Sequence, residues 1–290
     1  MSRKPSLGRG PQELCLAGID VRAISVAGLE TCIELPQRRI AFDIGRCPHS
    51  AIAMERVFFT HAHVDHLGGV AHHVASRDLY GMRPPTYHLP APNHEAFLAL
   101  LDAWRRLDRA ELPCRVVPLR PGDRVDLGKG WSVEAFAVSH RVPSLGYALI
   151  RQVQRLRPEL QGLSGDEIRA RRARGEAVSR AEDRVEVAFC GDTTIRVVER
   201  QPLVRAARLL ILECTFVEPE HLDRAAPTGH VHLDQIAERA HLFADNERVL
   251  LTHFSQRYPA HRVRRLLDER LPAELRARVV PLLDDDVTTG

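Results

Sequence analysis

Apolar residues along this chain fall into short runs rather than long stripes. Residues 21–26, 30–35 and 39–44 are β-branched or apolar and are separated by glycine and proline, which predicts an antiparallel meander. Residues 56–60 predict another strand, followed by a histidine-rich turn and a helix over about 67–75. Apolar positions at helical spacing predict a surface helix over 92–107. Strands are predicted at 131–138, 147–150, 185–190, 209–212 and 249–252, with helices near 195–201 and 233–243. A last helix near 260–269 precedes a strand at 279–282. Strands in the middle with helices outside describe one α/β domain. No internal repeat is visible.

Residues 151–184 interrupt this pattern. They carry nine arginines against six acids, with Gly162, Gly165 and Gly175, between two strand-like segments. Such a stretch is either a solvated excursion or a basic arm that touches a polyanion.

Composition narrows the class. With 290 residues, 44% apolar and 27% charged, the chain can bury a sizeable core, which excludes a disordered protein, a collagen-like fibre and a disulfide-dependent miniprotein. No run approaches the ~18 apolar residues of a membrane-spanning helix. Residues 1–12 are basic and rich in glycine and proline and are expected to form a flexible tail. The apolar run after them is short and broken by Asp20, unlike a secretory signal. The expected location is the cytoplasm, or the nucleus or an organelle in a eukaryote. The six cysteines form no C-x-x-C pair and read as reduced packing residues. The 41 basic and 38 acidic residues leave +3, so global charge alone does not announce a nucleic-acid binder. Only Lys4 and Lys129 are lysines, and arginine suits bidentate phosphate contacts.

Residues 60–69 read Thr-His-Ala-His-Val-Asp-His-Leu-Gly-Gly, an H-x-H-x-D-H pattern formed by His61, His63, Asp65 and His66. Chance gives this pattern about 0.002 times in a chain of this length and composition, so the match is specific. His61 and His63, two apart at a strand end, face one way, and Asp65 and His66 fall on the turn into the helix. Imidazole with carboxylate, without thiolate, is a zinc ligand set. His140, Asp192, Glu213 and His253 each follow an apolar strand-like run, where an α/β scaffold presents its site. Adjacent His72 and His73 cannot face one site together and read as surface helix residues.

With these residues in view the chain resembles the metallo-β-lactamase fold superfamily and, within it, short-form ribonuclease Z of the plant type. The resemblance runs from about Gly18 to Leu283. It is carried by Gly28-Leu29-Glu30-Thr31-Cys32, by residues 40–49, by Gly162-Leu163-Ser164-Gly165 and Gly191-Asp192-Thr193, by Glu213-Cys214-Thr215-Phe216 and Gly229-His230-Val231-His232, and by residues 253–258. It implies a four-layer αββα sandwich over 13–290 with 151–184 as a short inserted exosite-like arm. It implies two Zn²⁺ per chain, one held by His61, His63, His140 and Asp192, the other by Asp65, His66, Asp192 and His253, so that Asp192 bridges. It also implies that Glu213 and His230 protonate the leaving group, with His232 as the near rival to His230. Asp65 belongs to the catalytic set. Asp43 is expected to support the ligand histidines from behind. Ser255 and Arg257 are expected to contact acceptor-stem phosphate. The implied substrate is precursor tRNA, cut to leave a 3′-hydroxyl on the tRNA and a 5′-phosphate on the trailer, and the implied assembly is a homodimer with no membrane partner. Two features depart from the pattern: the arm is shorter than that of bacterial members and lacks their Gly-Pro motif, and the family's usual glycine-rich loop is reduced near Val26-Ala27-Gly28. The alternatives are a small-molecule or cyclic-nucleotide phosphodiesterase on the same scaffold and an RNA-binding relative without activity.

Overall fold

Ile33 and Cys32 are neighbours on one strand, and both are buried, on opposite faces. That explains why the strands read as continuous apolar runs: each sheet is covered on both sides. The computed structural model describes residues 10–283. The first sheet runs in the order β1 (Gln12–Leu16), β2 (Ile19–Val26), β3 (Glu30–Leu35), β4 (Ile40–Phe42), β5 (Arg56–Phe58), β6 (Thr86–Pro90) and β7 (Arg115–Leu119). The second runs β8 (Arg124–Gly128), β9 (Trp131–Ala137), β10 (Leu145–Leu156), β11 (Ser179–Phe189), β12 (Leu209–Glu213), β13 (Arg248–Thr252) and β14 (Val279–Pro281). In each sheet the first four strands pair antiparallel and the remaining pairings are parallel. The two halves of the chain therefore repeat one topology, although no repeat is visible in their sequences.

Between the sheets, the Phe42 ring stacks on Phe189 at 5.5 Å and on Tyr147 at 6.0 Å. Each fully buried side chain of this size contributes ~1.5–3 kcal/mol. The helices α1 (Val64–Leu67), α2 (Val70–Leu79) and α3 (His94–Asp108) cover the outer face of the first sheet through Leu67, Val74 and Phe97. On the inserted segment lies α4 (Gly165–Ala173). The second sheet is covered by α5 (Arg196–Arg200), α6 (Pro202–Ala206), α8 (Leu233–Glu238), α9 (Ala260–Arg270) and α10 (Ala273–Arg276), with α7 (Leu222–Thr228) preceding α8. The αββα sandwich expected from the resemblance is present.

Several local expectations change. Residues 1–9 of the expected tail lie outside the described residues, and Gln12 already opens β1. The helix predicted over 67–75 is two helices, because Gly68-Gly69 lets the chain press against the Ile44 carbonyl where a Cβ would collide. Strands β6, β7 and β8 carry His88, Pro118 and alternating charges, which masked them in the apolar pattern. The expectation that His73 lies on the surface is wrong. Val70, His73, Val74 and Arg77 form the buried face of α2, and His73 bridges the Tyr87 hydroxyl (2.8 Å) and the Ala51 carbonyl (3.0 Å).

Two core histidines give the fold an acid limit. Burial, reinforced by Arg77, pushes His73 down to about 4. Burial and then the Arg56 and Arg115 charges push His88, stacked on Phe58 at 4.3 Å, down to about 4 as well. Neither ring nitrogen of His88 has a hydrogen-bond partner. In the unfolded chain both histidines take a proton near pH 6.5, whereas the native state refuses it until about pH 4. Stability is therefore full above pH 6.5 and falls between 6.5 and 4, by roughly 3 kcal/mol per histidine when complete. Thermal melts from pH 7.5 to 4.5 should show His88→Leu losing less stability on acidification than the wild type. Parallel curves would show that His88 does not resist protonation.

Candidate metal centre

The loops that leave β4, β5, β9, β11, β12 and β13 converge, and each delivers a polar side chain. His61 and His63 come from the loop after β5, and Asp65 and His66 from α1, which His63 begins as its N-terminal flanking residue. His140 follows β9, Asp192 follows β11 and His253 follows β13. Asp192 is buried at the centre. Its Oδ2 lies 3.9 Å from His61 Nε2 and 4.0 Å from His140 Nε2. Its Oδ1 lies 3.4 Å from both His66 Nε2 and His253 Nε2. His63 Nδ1 completes the first group, 2.9 Å from His61 Nε2 and 3.4 Å from His140 Nε2. Asp65 Oδ2 completes the second, 3.7 Å from His66 Nε2 and from His253 Nε2. Two donor sets thus share one carboxylate, an oxygen facing each.

The donors fit metal ions on structural grounds. His66 Nε2 and His253 Nε2 are buried without a hydrogen-bond partner, a state that costs free energy unless something else satisfies them. Imidazole nitrogen with carboxylate oxygen is the donor chemistry of zinc and similar divalent ions.

Electrostatics without an ion show how strongly these groups are coupled. Burial opposes charge on Asp192, yet His253, His66, His61 and His230 outweigh it and hold the carboxyl far below its usual range. Burial likewise opposes charge on His66, but Asp192, Asp43 and Asp65 outweigh it and hold the imidazolium up to about 9. His61 goes the other way, to about 2, through burial and then the neighbouring His66 charge.

A second tier of polar groups holds these side chains from behind. Asp43, fully buried, accepts from His66 Nδ1 (2.8 Å), from the Thr60 hydroxyl (2.7 Å) and from the Thr60 amide (2.7 Å). Thr60 Oγ1 lies 2.9 Å from His61 Nδ1. Glu213, the last residue of β12, accepts from His230 Nδ1 at 2.8 Å. His140 Nδ1 donates to the Gly229 carbonyl at 2.9 Å, and a Cβ on Gly229 would sit 2.8 Å from that nitrogen. The Gly28 amide donates to Asp65 Oδ2 at 2.9 Å, so the reduced loop at 26–28 still reaches the centre. Asp43 and His253 adopt left-handed backbone, φ 57° and 60°, a strain that non-glycine residues keep where the surroundings impose it.

Every histidine and aspartate expected as a ligand is thus brought into the cluster, and Asp43 lies behind it. His230 is adjacent, 17% exposed, with Glu213 on its Nδ1 and Asp192 Oδ2 4.0 Å away. Burial opposes its charge, but Glu213 and Asp192 outweigh that and hold it up to about 9. Its rival His232 is fully buried and otherwise engaged: Nε2 donates to the Glu218 carbonyl (2.8 Å), and Nδ1 accepts from the Asp234 amide (3.0 Å) as the cap of α8. Ser255, half-buried, and Arg257, exposed, lie on the turn after His253. Sequence reasoning missed Thr60 and Thr215. Thr215, two residues after Glu213, sits at the spacing at which a strand returns to the same face, whereas Thr60, next to His61, carries no such signal.

The segment 151–184 extends the β10–β11 hairpin out to the pair Leu156↔Ser179, and α4 closes it with a Ser164–Glu167 capping box. Its basic charge is largely paired. Arg155, Arg157, Arg169, Arg171, Arg174 and Arg180 each face an acid of the segment itself. Exposed pairs of this kind are worth ~0–1 kcal/mol each, so they yield readily to phosphate.

A four-layer sandwich with a histidine–aspartate cluster at its strand ends defines the metallo-β-lactamase superfamily, and residues 37–254 match the Beta-lactamase superfamily domain. Over 270 residues the chain is 38% identical to tRNase Z TRZ1 of Arabidopsis thaliana, covering 92% of this chain and 96% of that protein. It is 36% identical to the chloroplastic tRNase Z TRZ2 of the same plant, covering 91% of this chain and 75% of that one. The chain belongs to the tRNase Z family. The short form of human tRNase Z has the same fold, with a TM-score of 0.52 at 21% identity over 83% of this chain and 87% of that one. So does the metallo-beta-lactamase fold protein YhfI from Bacillus subtilis, with a TM-score of 0.62 at 13% identity over 91% and 96%. Among the described residues, no helix is long and apolar enough to cross a membrane.

Proposed function

We propose that this protein is a dinuclear zinc endoribonuclease that removes the 3′ trailer from precursor tRNA, leaving a 3′-hydroxyl on the tRNA and a 5′-phosphate on the trailer. The observation that carries this reading is Asp192 turning one oxygen to each of two donor sets, directly beside the Glu213–His230 pair, in a chain of the tRNase Z family.

Zinc bound at these donors would supply water of lowered pKa and positive charge facing the scissile phosphate. His61, His63, His140 and Asp192 would hold one ion, and Asp65, His66, His253 and Asp192 the other. Asp65, fixed by the Gly28 amide, also orients the attacking water. His230 keeps a proton on its Nε2 because Glu213 takes the Nδ1 hydrogen, and it gives that proton to the departing 3′ oxygen. Asp43 fixes the orientation of His66 and supports its basicity. Ser255 and Arg257 meet the acceptor-stem phosphates, and the 151–184 hairpin grips the tRNA body by exchanging its internal ion pairs for phosphate contacts. A homodimer acting in the cytoplasm, or in the nucleus or an organelle of a eukaryote, belongs to the same reading, and sedimentation equilibrium checks the dimer.

The test is incubation with an end-labelled tRNA precursor, with and without chelator, alongside elemental analysis. About two zinc ions per chain, with cleavage lost in chelator and restored by zinc, are expected. A zinc-loaded protein that leaves the precursor intact but hydrolyses cyclic nucleotides would establish the phosphodiesterase alternative.

A further inference from the structure

Each half of the chain carries the same arrangement behind the centre. In the first half, Asp43 takes the His66 ring directly and reaches His61 through the Thr60 hydroxyl. In the second, Glu213 takes the His230 ring directly and reaches His253 through the Thr215 hydroxyl. One buried carboxylate thus serves two histidines, one directly and one through a threonine.

We propose that Thr215 is a positioning residue that fixes the tautomer of His253 and so ties the second donor set to the carboxylate of the proton donor. The inference builds on the metal-centre reading above. Glu213 Oε2 accepts the Thr215 amide at 3.0 Å and the Thr215 hydroxyl at 2.7 Å. Glu213 Oε1 accepts His230 Nδ1 at 2.8 Å and the Thr193 amide at 3.2 Å. A carboxylate has no proton to give, so the single hydroxyl proton of Thr215 goes to Glu213. The oxygen is left as an acceptor for His253 Nδ1, 3.0 Å away. His253 Nδ1 therefore carries the ring proton, and Nε2 presents its lone pair. That Nε2 is the buried atom without a hydrogen-bond partner, 3.4 Å from Asp192 Oδ1 and 3.7 Å from Asp65 Oδ2. Without the hydroxyl, the Nε2–H form of His253 competes, and that form cannot ligate. Thr60 acts on His61 in the same way, with its hydroxyl proton on Asp43 Oδ2 and Oγ1 2.9 Å from His61 Nδ1.

Thr215→Val keeps the shape and loses the hydroxyl, whereas Thr215→Ser keeps the hydroxyl. Chelator competition on the zinc-loaded full chain should show one of the two ions held ~10–100-fold more weakly in Thr215→Val, the usual effect of losing a partner behind a ligand, and wild-type affinity in Thr215→Ser. Proton NMR of the zinc-loaded chain should show a slowly exchanging His253 Nδ1–H, held by the Thr215 hydroxyl, in the wild type and in Thr215→Ser, and lost to solvent exchange in Thr215→Val. A zinc-loaded wild-type chain with no protected His253 Nδ1–H overturns the proposal without any variant. So does a Thr215→Val protein that keeps both zinc affinities, or a folded Thr215→Ser protein as weak as Thr215→Val. None of these readouts needs RNA cleavage. An intact precursor tRNA alongside the expected Nδ1–H signals and zinc affinities would therefore count against the substrate and leave Thr215 in its role.

Discussion

Asp192→Ala should lose both zinc ions together and reduce phosphodiester cleavage on the order of 10³-fold or more, since metal Lewis-acid stabilisation supplies several kcal/mol. Asp192 turns one carboxylate oxygen to each set, Oδ2 toward His61 and His140 and Oδ1 toward His66 and His253. Removing it takes one donor from each set in a single change. It also strips a negative charge from among four histidines whose combined field holds that carboxyl ionised. The remaining imidazoles then face one another with less to offset a bound dication or a ring proton. Asp192→Asn tests the same point more finely, because it keeps the volume but cannot carry the charge. Both variants should retain the fold, since the sheets and their aromatic core do not run through this side chain. Three measurements check this: elemental analysis, turnover, and the rise in melting temperature on adding zinc, which mass action requires of any chain that binds the ion in its native state. An Asp192→Ala protein that keeps two zinc ions and activity within tenfold of wild type would remove the bridge from the reading.

The histidine–aspartate cluster was legible because donor chemistry of this kind uses rare residue types at fixed spacing. His61, His63, Asp65 and His66 announce themselves in six residues, and His140, Asp192 and His253 each end an apolar run. What lies behind them was less legible. Thr60 and Thr215 are ordinary strand-end threonines until tertiary structure sets a carboxylate on one side and an imidazole on the other. The repeat of four antiparallel strands followed by three parallel ones left no trace in the sequence, although it places Asp43 after the fourth strand of one half and Asp192 after the fourth of the other. Each half needs only buried alternation, and many sequences satisfy that. His73 was misread because adjacency with His72 bars both from one site but does not bar one of them from the core. The i, i+3, i+4, i+7 pattern of Val70, His73, Val74 and Arg77 was present, hidden by two polar residue types that Tyr87 and backbone carbonyls satisfy. The basic count of 151–184 overstated its free charge, because composition does not show which acids the hairpin sets opposite its arginines.

His230→Ala should cut precursor tRNA cleavage by at least ~10²-fold, the low end of what a positioned general acid contributes, while affecting bis-p-nitrophenyl phosphate much less. The sugar 3′ oxygen is a poor leaving group and needs a proton as it departs, whereas p-nitrophenolate leaves without one. Burial opposes charge on His230, but Glu213 at 2.8 Å and Asp192 at 4.0 Å outweigh it, and with Glu213 on Nδ1 the proton to be given sits on Nε2. His232→Ala should behave differently. It removes the cap of α8 and the bond to the Glu218 carbonyl, so it should cost on the order of 1 kcal/mol of stability and spare the ratio of the two activities. Glu213→Ala should lower both activities, because that carboxylate holds His230 directly and His253 through Thr215. Added to His230→Ala, it should cost little further tRNA selectivity but should still reduce nitrophenyl ester turnover. Activities of the four proteins on both substrates, at matched zinc content, separate these roles. Equal losses on both substrates in His230→Ala would make that residue a support of the metal centre. A selective loss in His232→Ala would move the proton donor two residues along the chain.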